Sequence, residues 1–114
     1  MESVYLNEVE TIGYVAIFVT APSHEQGVAI ARTLVEEEIA ACVNIIDGLT
    51  SIFTWKGKIE EESESLLIIK TRSERVPEMI QRVKSLHPYD VPEVIVLPIL
   101  DGNPAYLEWI DEVT

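Results

Sequence analysis

Between Ala40 and Thr71 the chain reads AACVNIIDGLTSIFTWKGKIEEESESLLIIKT. Cys42–Trp55 is one long extended segment, Lys56-Gly57 a tight turn, and Lys58–Thr71 its antiparallel return. An arm of about 14 residues, at about 3.3 Å each, reaches roughly 46 Å. Strands of globular proteins run about 5–6 residues. A domain of 114 residues has no core broad enough to cover such a hairpin. Part of it must project or bend around something, and another copy of the same protein is the expected cover. Asp47-Gly48, midway along the first arm, predicts a bulge or bend. The second arm starts polar, from Glu60 to Ser65, and ends apolar, from Leu66 to Ile69. Its polar half is expected to face water and its apolar half to join the core.

On the N-terminal side, Tyr14–Thr20 is a continuous apolar run closed by Ala21-Pro22, which predicts a strand buried on both faces. A helix follows. Ser23 stands three residues before Gln26, the spacing of a capping box. Val28, Ala31, Leu34, Val35 and Ile39 mark its apolar face. Glu36, Glu37 and Glu38 end it against the helix dipole. On the C-terminal side, Ser73 is the expected cap of a second helix that buries Val76, Ile80 and Val83, tolerates Pro77 in its first turn and stops before Pro88. Val94–Ile99 predicts a last strand, at a sheet edge because of Pro98. Asn103-Pro104 opens a short final helix with Leu107, Ile110 and Val113 on one face.

The order is strand, helix, strand, strand, helix, strand, helix. That is an α+β chain of ferredoxin-like βαββαβ type with an extra C-terminal helix. Residues 1–13 form an N-terminal extension and residues 14–114 a single domain. Two helices cover one face of a four-stranded antiparallel sheet. Tyr14–Thr20 and Val94–Ile99 are apolar on both faces, so the second face needs cover as well. The final helix supplies part of it, and association of subunits supplies the rest.

Composition narrows the function. Eight Lys and Arg face twenty Asp and Glu, for a net charge of −12. Phosphate backbones require clustered cations, so nucleic acid and anionic membrane are poor partners. No apolar run approaches the roughly 18 residues of a membrane helix. The acidic N-terminus lacks the basic, then apolar, pattern of a signal peptide, and one cysteine suits a reducing compartment. A cytoplasmic protein is the expectation.

Enzyme motifs are missing: there is no nucleophile elbow, no Walker loop and no His-Glu-x-x-His. The loop after the first strand, Thr20-Ala21-Pro22-Ser23, has no arginine to grip an anion as acylphosphatases of similar fold require. A non-enzymatic role is expected. Cys42, the single thiol, is either a soft-metal ligand or a small buried hydrophobe. His87, between a helix end and the Pro88–Pro92 segment, is either a metal ligand or a helix-terminal histidine bonded to a carbonyl. Together these two are the candidate metal ligands. Lys70 and Arg72, with Arg75 nearby, form the single basic grouping and are the candidate anion or small-molecule site. Trp55 and Phe53, near the hairpin tip, are the expected interface anchors.

Several separated motifs also resemble one family. Ala40-Ala41-Cys42-Val43-Asn44, the Thr50–Gly57 hairpin, Lys70-Thr71 and the His87–Glu93 segment HPYDVPE are similar to CutA, the divalent-cation tolerance family. The resemblance covers roughly Tyr14 to Val113. It implies a ferredoxin-like subunit in a tight homotrimer, a hairpin reaching around its neighbours, and an architecture similar to PII-type signal proteins. It also implies association with copper and other divalent ions. Some relatives carry a cysteine where this chain has Val19, and a second histidine where it has Leu86. Of that copper-related set, only His87 is present here.

Overall fold

A computed structural model describes residues 13–114 of the chain. The N-terminal extension expected over residues 1–13 lies outside them, apart from Gly13. Four strands and three helices follow in order: β1 Tyr14–Ala21, α1 His24–Glu36, β2 Cys42–Trp55, β3 Lys58–Arg72, α2 Val76–Leu86, β4 Ile95–Pro98 and α3 Pro104–Val113. The strands form one sheet in the order β2-β3-β1-β4. Each neighbouring pair is antiparallel. The topology is the expected ferredoxin-like one with an added C-terminal helix. The last strand is shorter than Val94–Ile99, because its pairing with β1 is confined to Ile95–Pro98.

Register explains the layering. Val15, Ile17, Val19 and Ala21 of β1, with Leu67 and Ile69 of β3, point to one side. There they meet Ile30, Ala31 and Leu34 of α1 and Val76, Met79 and Val83 of α2, forming the buried core. Each large core side chain contributes about 1.5–3 kcal/mol through removal from water. Residues of opposite parity (Tyr14, Ala16 and Phe18 of β1 with Leu66 and Ile68 of β3) lie on the second side, and all of them stay partly exposed. In the single chain β1 is thus buried on one face rather than two. The second face carries the same apolar chemistry with no helical layer except α3 at one end.

The long hairpin forms as its sequence predicts. Lys56 and Gly57 both have positive φ, 51° and 78°, which builds a two-residue turn matched to strand twist. Ile46 pairs with Leu66 and Leu49 with Glu64, so Asp47 and Gly48 together oppose Ser65. This is the expected bulge. Gly48 takes φ 78° there. Ser65 Oγ donates to Asp47 Oδ1 at 2.8 Å, and His24 Nδ1 lies 3.0 Å from the same carboxylate. The bulge is thereby tied to both β3 and the start of α1. The longest dimension of the molecule is 43 Å, close to the reach expected of the hairpin.

Helix ends show where sequence spacing misleads. Ser23 caps α1 by accepting from the Gln26 N–H at 3.2 Å, as expected. The buried face of α1 differs from the expected one. Gly27 and Ile30 join Ala31 and Leu34, while Val35 is 42% exposed and Val28 half-buried. Gly27 is the pivot: a Cβ there would meet Leu67 Cδ1 at 3.1 Å, so the helix rolls that side against the sheet. Ser73 does not cap α2. It opens a one-turn 3₁₀ segment, Ser73–Arg75, with no side-chain cap bond, and its N–H is taken by the Gly13 carbonyl. The acidic end of α1 is relieved by Arg82 of α2, which holds Glu37 bidentately at 2.8 and 2.6 Å.

The chain leaves α1 through two bonds, Ile39 N–H to the Leu34 carbonyl and Glu38 N–H to the Val35 carbonyl. Glu38 occupies the left-handed position of this motif at φ 60°. That conformation costs a non-glycine residue about 1 kcal/mol. Glu38→Gly is expected to raise stability by about 0.5–1 kcal/mol. Equilibrium denaturation measures it, and a lower midpoint would contradict the assignment.

Candidate functional site

His87 caps the C-terminus of α2 and is buried. Pro88 and Pro92 fix the segment that follows. The His87 Nε2–H donates to the Thr20 carbonyl at 2.7 Å, and Nδ1 accepts from the Tyr89 N–H at 3.1 Å. A ring that donates at Nε2 and accepts at Nδ1 is the neutral Nε2–H tautomer. Both nitrogens are thus engaged. The Tyr89 ring lies 4.7 Å from the imidazole, and its hydroxyl donates to Glu64 Oε2 at 3.1 Å. Glu64 is 8% exposed. The expectation that the polar half of the hairpin arm faces water therefore fails at Glu64, where the loop after α2 folds Tyr89 over it, and at Ser65, which is buried and bonded to Asp47.

The other candidates gather at the opposite end of the second face. Cys42 pairs directly with Lys70 across β2 and β3, and both side chains share one side of the sheet. Asn44 Oδ1 accepts from Lys70 Nζ and stands 3.9 Å from the Cys42 Sγ. Tyr106 of α3 closes over the thiol. Burial first, and then Cys42, holds the Tyr106 hydroxyl above its ordinary range. The ring of Tyr106 also packs on Trp109 at 5.5 Å.

Arg72 is engaged with the end of α3. Its Nε donates to Thr114 Oγ1 at 3.0 Å and its Nη2 to the Thr114 carbonyl at 2.6 Å. Arg75 Nε reaches the same carbonyl at 2.9 Å. Tyr14 donates to Asp111 at 2.5 Å. Two guanidinium groups facing the C-terminal, electronegative end of a helix dock α3 on the sheet. Arg72 is thus joined by Arg75 rather than by Lys70. Each also meets a carboxylate, Glu74 at 3.3 Å and Glu78 at 3.2 Å respectively.

Cys42 and His87 belong to these two separate clusters. Among the described residues, no three His, Cys, Asp or Glu side chains converge as a metal centre. The described residues of one copy thus offer no set of three such donors. Phe53 and Trp55 stand on the second side of the sheet, 40% and 49% exposed. The Lys56 ammonium lies 5.9 Å from the centre of the Trp55 ring. Sequence reasoning did not single out Glu64 with Tyr89, Asn44 with Lys70, or Tyr106. Strand register was the available signal, since Asn44 and Lys70 fall on one side once the turn is fixed at Lys56-Gly57.

A four-stranded ferredoxin-like sheet with a bulged long hairpin and an HPYDVPE loop defines a class of small α+β proteins. Residues 15–113 match the family described as CutA1 divalent ion tolerance protein, and the chain belongs to that family. It is similar to Protein CutA of Mus musculus, with 54% identity over 99 residues, covering 87% of this chain and 56% of the mouse protein. The divalent cation tolerance protein (Cut A1) of Thermus thermophilus superposes with a TM-score of 0.87 at 50% identity, covering 89% of this chain and 98% of that one. CutA1 from Oryza sativa gives 0.88 at 45% identity over 90% and 94% of the two chains. This chain thus spans a little over half of the mouse relative and nearly all of the Thermus structure.

Two measurements follow from this geometry. Burial first, and then the hydrogen bond to Glu64, pushes the Tyr89 hydroxyl up to about 12. An unfolded tyrosine titrates near 10. Below pH ~10 both states keep the proton and stability is unaffected by this group. Between pH ~10 and ~12 the unfolded chain loses it first, so stability falls as pH rises. The melting temperature should drop across that window, and Tyr89→Phe should flatten the drop. For the α3 contact, Arg75→Ala should accelerate amide exchange over residues 104–113 by about tenfold, since a hydrogen bond from a charged group contributes about 1.5–3 kcal/mol. Unchanged protection of those amides would show that Arg75 does not hold the helix.

Proposed function

We propose that this chain acts, without catalysis, as a homotrimeric binding protein of divalent-cation tolerance, with ligand sites formed between copies. The observation that carries this reading is the second face of the sheet. Phe18, Ile46, Leu66, Ile68, Ile95 and Leu97 lie there by register, and Ile46 and Ile95 are about half exposed. Apolar surface of that extent favours burial against another subunit. Family membership supplies the link to divalent cations. Copper is the ion favoured by the thiolate of Cys42 and the imidazole of His87. The His87 ring would have to release the Thr20 carbonyl or the Tyr89 N–H to bind metal, so Cys42 is the more accessible donor. The single cysteine favours a cytoplasmic setting. Among the described residues no helix is long and apolar enough to cross a membrane.

A second reading is a PII-like sensor that takes an anionic small molecule at Lys70 and Arg72. It is supported by the convergence of Arg72 and Arg75 on the end of α3, where an anion would take the place of the Thr114 carbonyl.

Sedimentation and calorimetry separate these possibilities. A trimer of this 12.8 kDa chain should sediment near ~38 kDa at micromolar concentration. Chelator-stripped protein should take up copper, and Cys42→Ser should weaken that uptake without altering the fold. Cys42→Ser is preferred over His87→Ala, which also strands the buried Thr20 carbonyl at a cost of about 1–3 kcal/mol. A folded species near 13 kDa would overturn the trimer. Equal copper uptake by Cys42→Ser would remove the thiol from the site. Heat on adding a metabolite anion, lost in Arg72→Ala, would favour the sensor.

A further inference from the structure

We propose that Glu64 and Tyr89 form half of an intersubunit site, completed by Lys58 at the hairpin tip of a second copy of this chain. This inference rests on the trimeric reading above and adds to it the residue that each partner contributes. Its starting point is an unbalanced charge. Glu64 is nine-tenths buried, and its side chain meets the Tyr89 hydroxyl at 3.1 Å. None of the four ion pairs among the described residues includes it. A carboxylate removed from water without a cation is costly, so burial of this kind calls for a positive partner.

The chain has eight basic residues from which to supply one. Arg72, Arg75 and Arg82 are engaged with carboxylates, and Lys70 with Asn44. Arg32 and Lys84 lie on α1 and α2, in the layer on the other side of the sheet. Lys56 is placed over the Trp55 ring. Lys58 remains. It pairs with Trp55 at the start of β3 and shares, by strand alternation, the side of Glu60, Glu62 and Glu64.

Lys58 cannot reach its own Glu64. Six residues of extended strand hold the two Cα atoms roughly 20 Å apart. The hairpin is therefore basic at its tip and acidic behind it, on one side and at fixed separation. Such a polarity suits a head-to-tail contact, in which each tip meets the acidic stretch of the next copy, and a threefold rotation between copies closes that contact into a ring. Phe53 and Trp55 occupy the same side of the tip as Lys58. They can cover the ion pair and exclude water from it, which strengthens a charged contact.

Charge reversal tests the pair. Lys58→Glu and Glu64→Lys should each speed subunit exchange between differently labelled copies by about tenfold or more at low salt, and the double reversal should restore exchange to within about threefold of the unmodified protein. A second measurement does not require Glu64→Lys to fold. A carbodiimide, which joins an amine to a carboxylate in contact with no spacer, should link Lys58 to Glu64 in the unmodified protein. In a mixture of light and heavy-nitrogen chains, mass spectrometry should find the linked peptides pairing light with heavy. Linkage of Lys58 to other carboxylates in place of Glu64, or Lys58→Glu exchanging as the unmodified trimer does, overturns the pair and leaves the trimer standing. Unmodified protein that sediments as single chains overturns the trimer itself.

Discussion

A sheet that is apolar on both sides, with helices enough for one, is the constraint on which the rest of the molecule depends. Pairing of β1 with β3 places Val15, Ile17 and Val19 beside Leu67 and Ile69, and α1 and α2 bury all five. The same pairing commits Phe18 and Ile68 to the other side. Strand alternation permits no compromise: a chain that fills both parities with hydrophobes must find two covers. The C-terminal helix α3 covers one end, where Arg72 and Arg75 draw it down. The remainder has no cover among the described residues.

Much of this architecture was legible in the sequence because it rests on local rules. A turn of Lys56-Gly57 fixes the register of β2 against β3, and Asp47-Gly48 marks the bulge by the dipeptide alone. Ser23 and Asn103 announce their helices through side-chain oxygens that accept from nearby amides. What was not legible depends on distant partners. The roll of α1 onto Gly27 is set by Leu67, forty residues away. Ser73 looks like a cap but is drawn into a bond with Gly13. Glu64 reads as a solvated acid until Tyr89, twenty-five residues later, closes over it.

The candidate residues divide along the same line. His87 is satisfied within the fold, donating at one ring nitrogen and accepting at the other, and its first task is to fasten the end of α2 to β1. Cys42 and Lys70 sit where sheet, α3 and the open face meet. Within the described residues of one copy, the candidate donors do not converge on a single point. This placement gives a physical reason why a family connected with divalent cations can present a subunit with no closed metal centre among its described residues.

The bulge at Asp47-Gly48 has a consequence for parity. Cys42, Asn44 and Ile46 are even-numbered and face the open side, whereas Leu49, Phe53 and Trp55 are odd-numbered and face it too. The one supernumerary residue makes this possible. If the same residues paired regularly, with no bulge to absorb the extra one, the outer hairpin would present Ile52 and Thr54 where its aromatic rings now stand. A single backbone insertion thus acts as a phase shifter, keeping the far end of a long ribbon in step with its root.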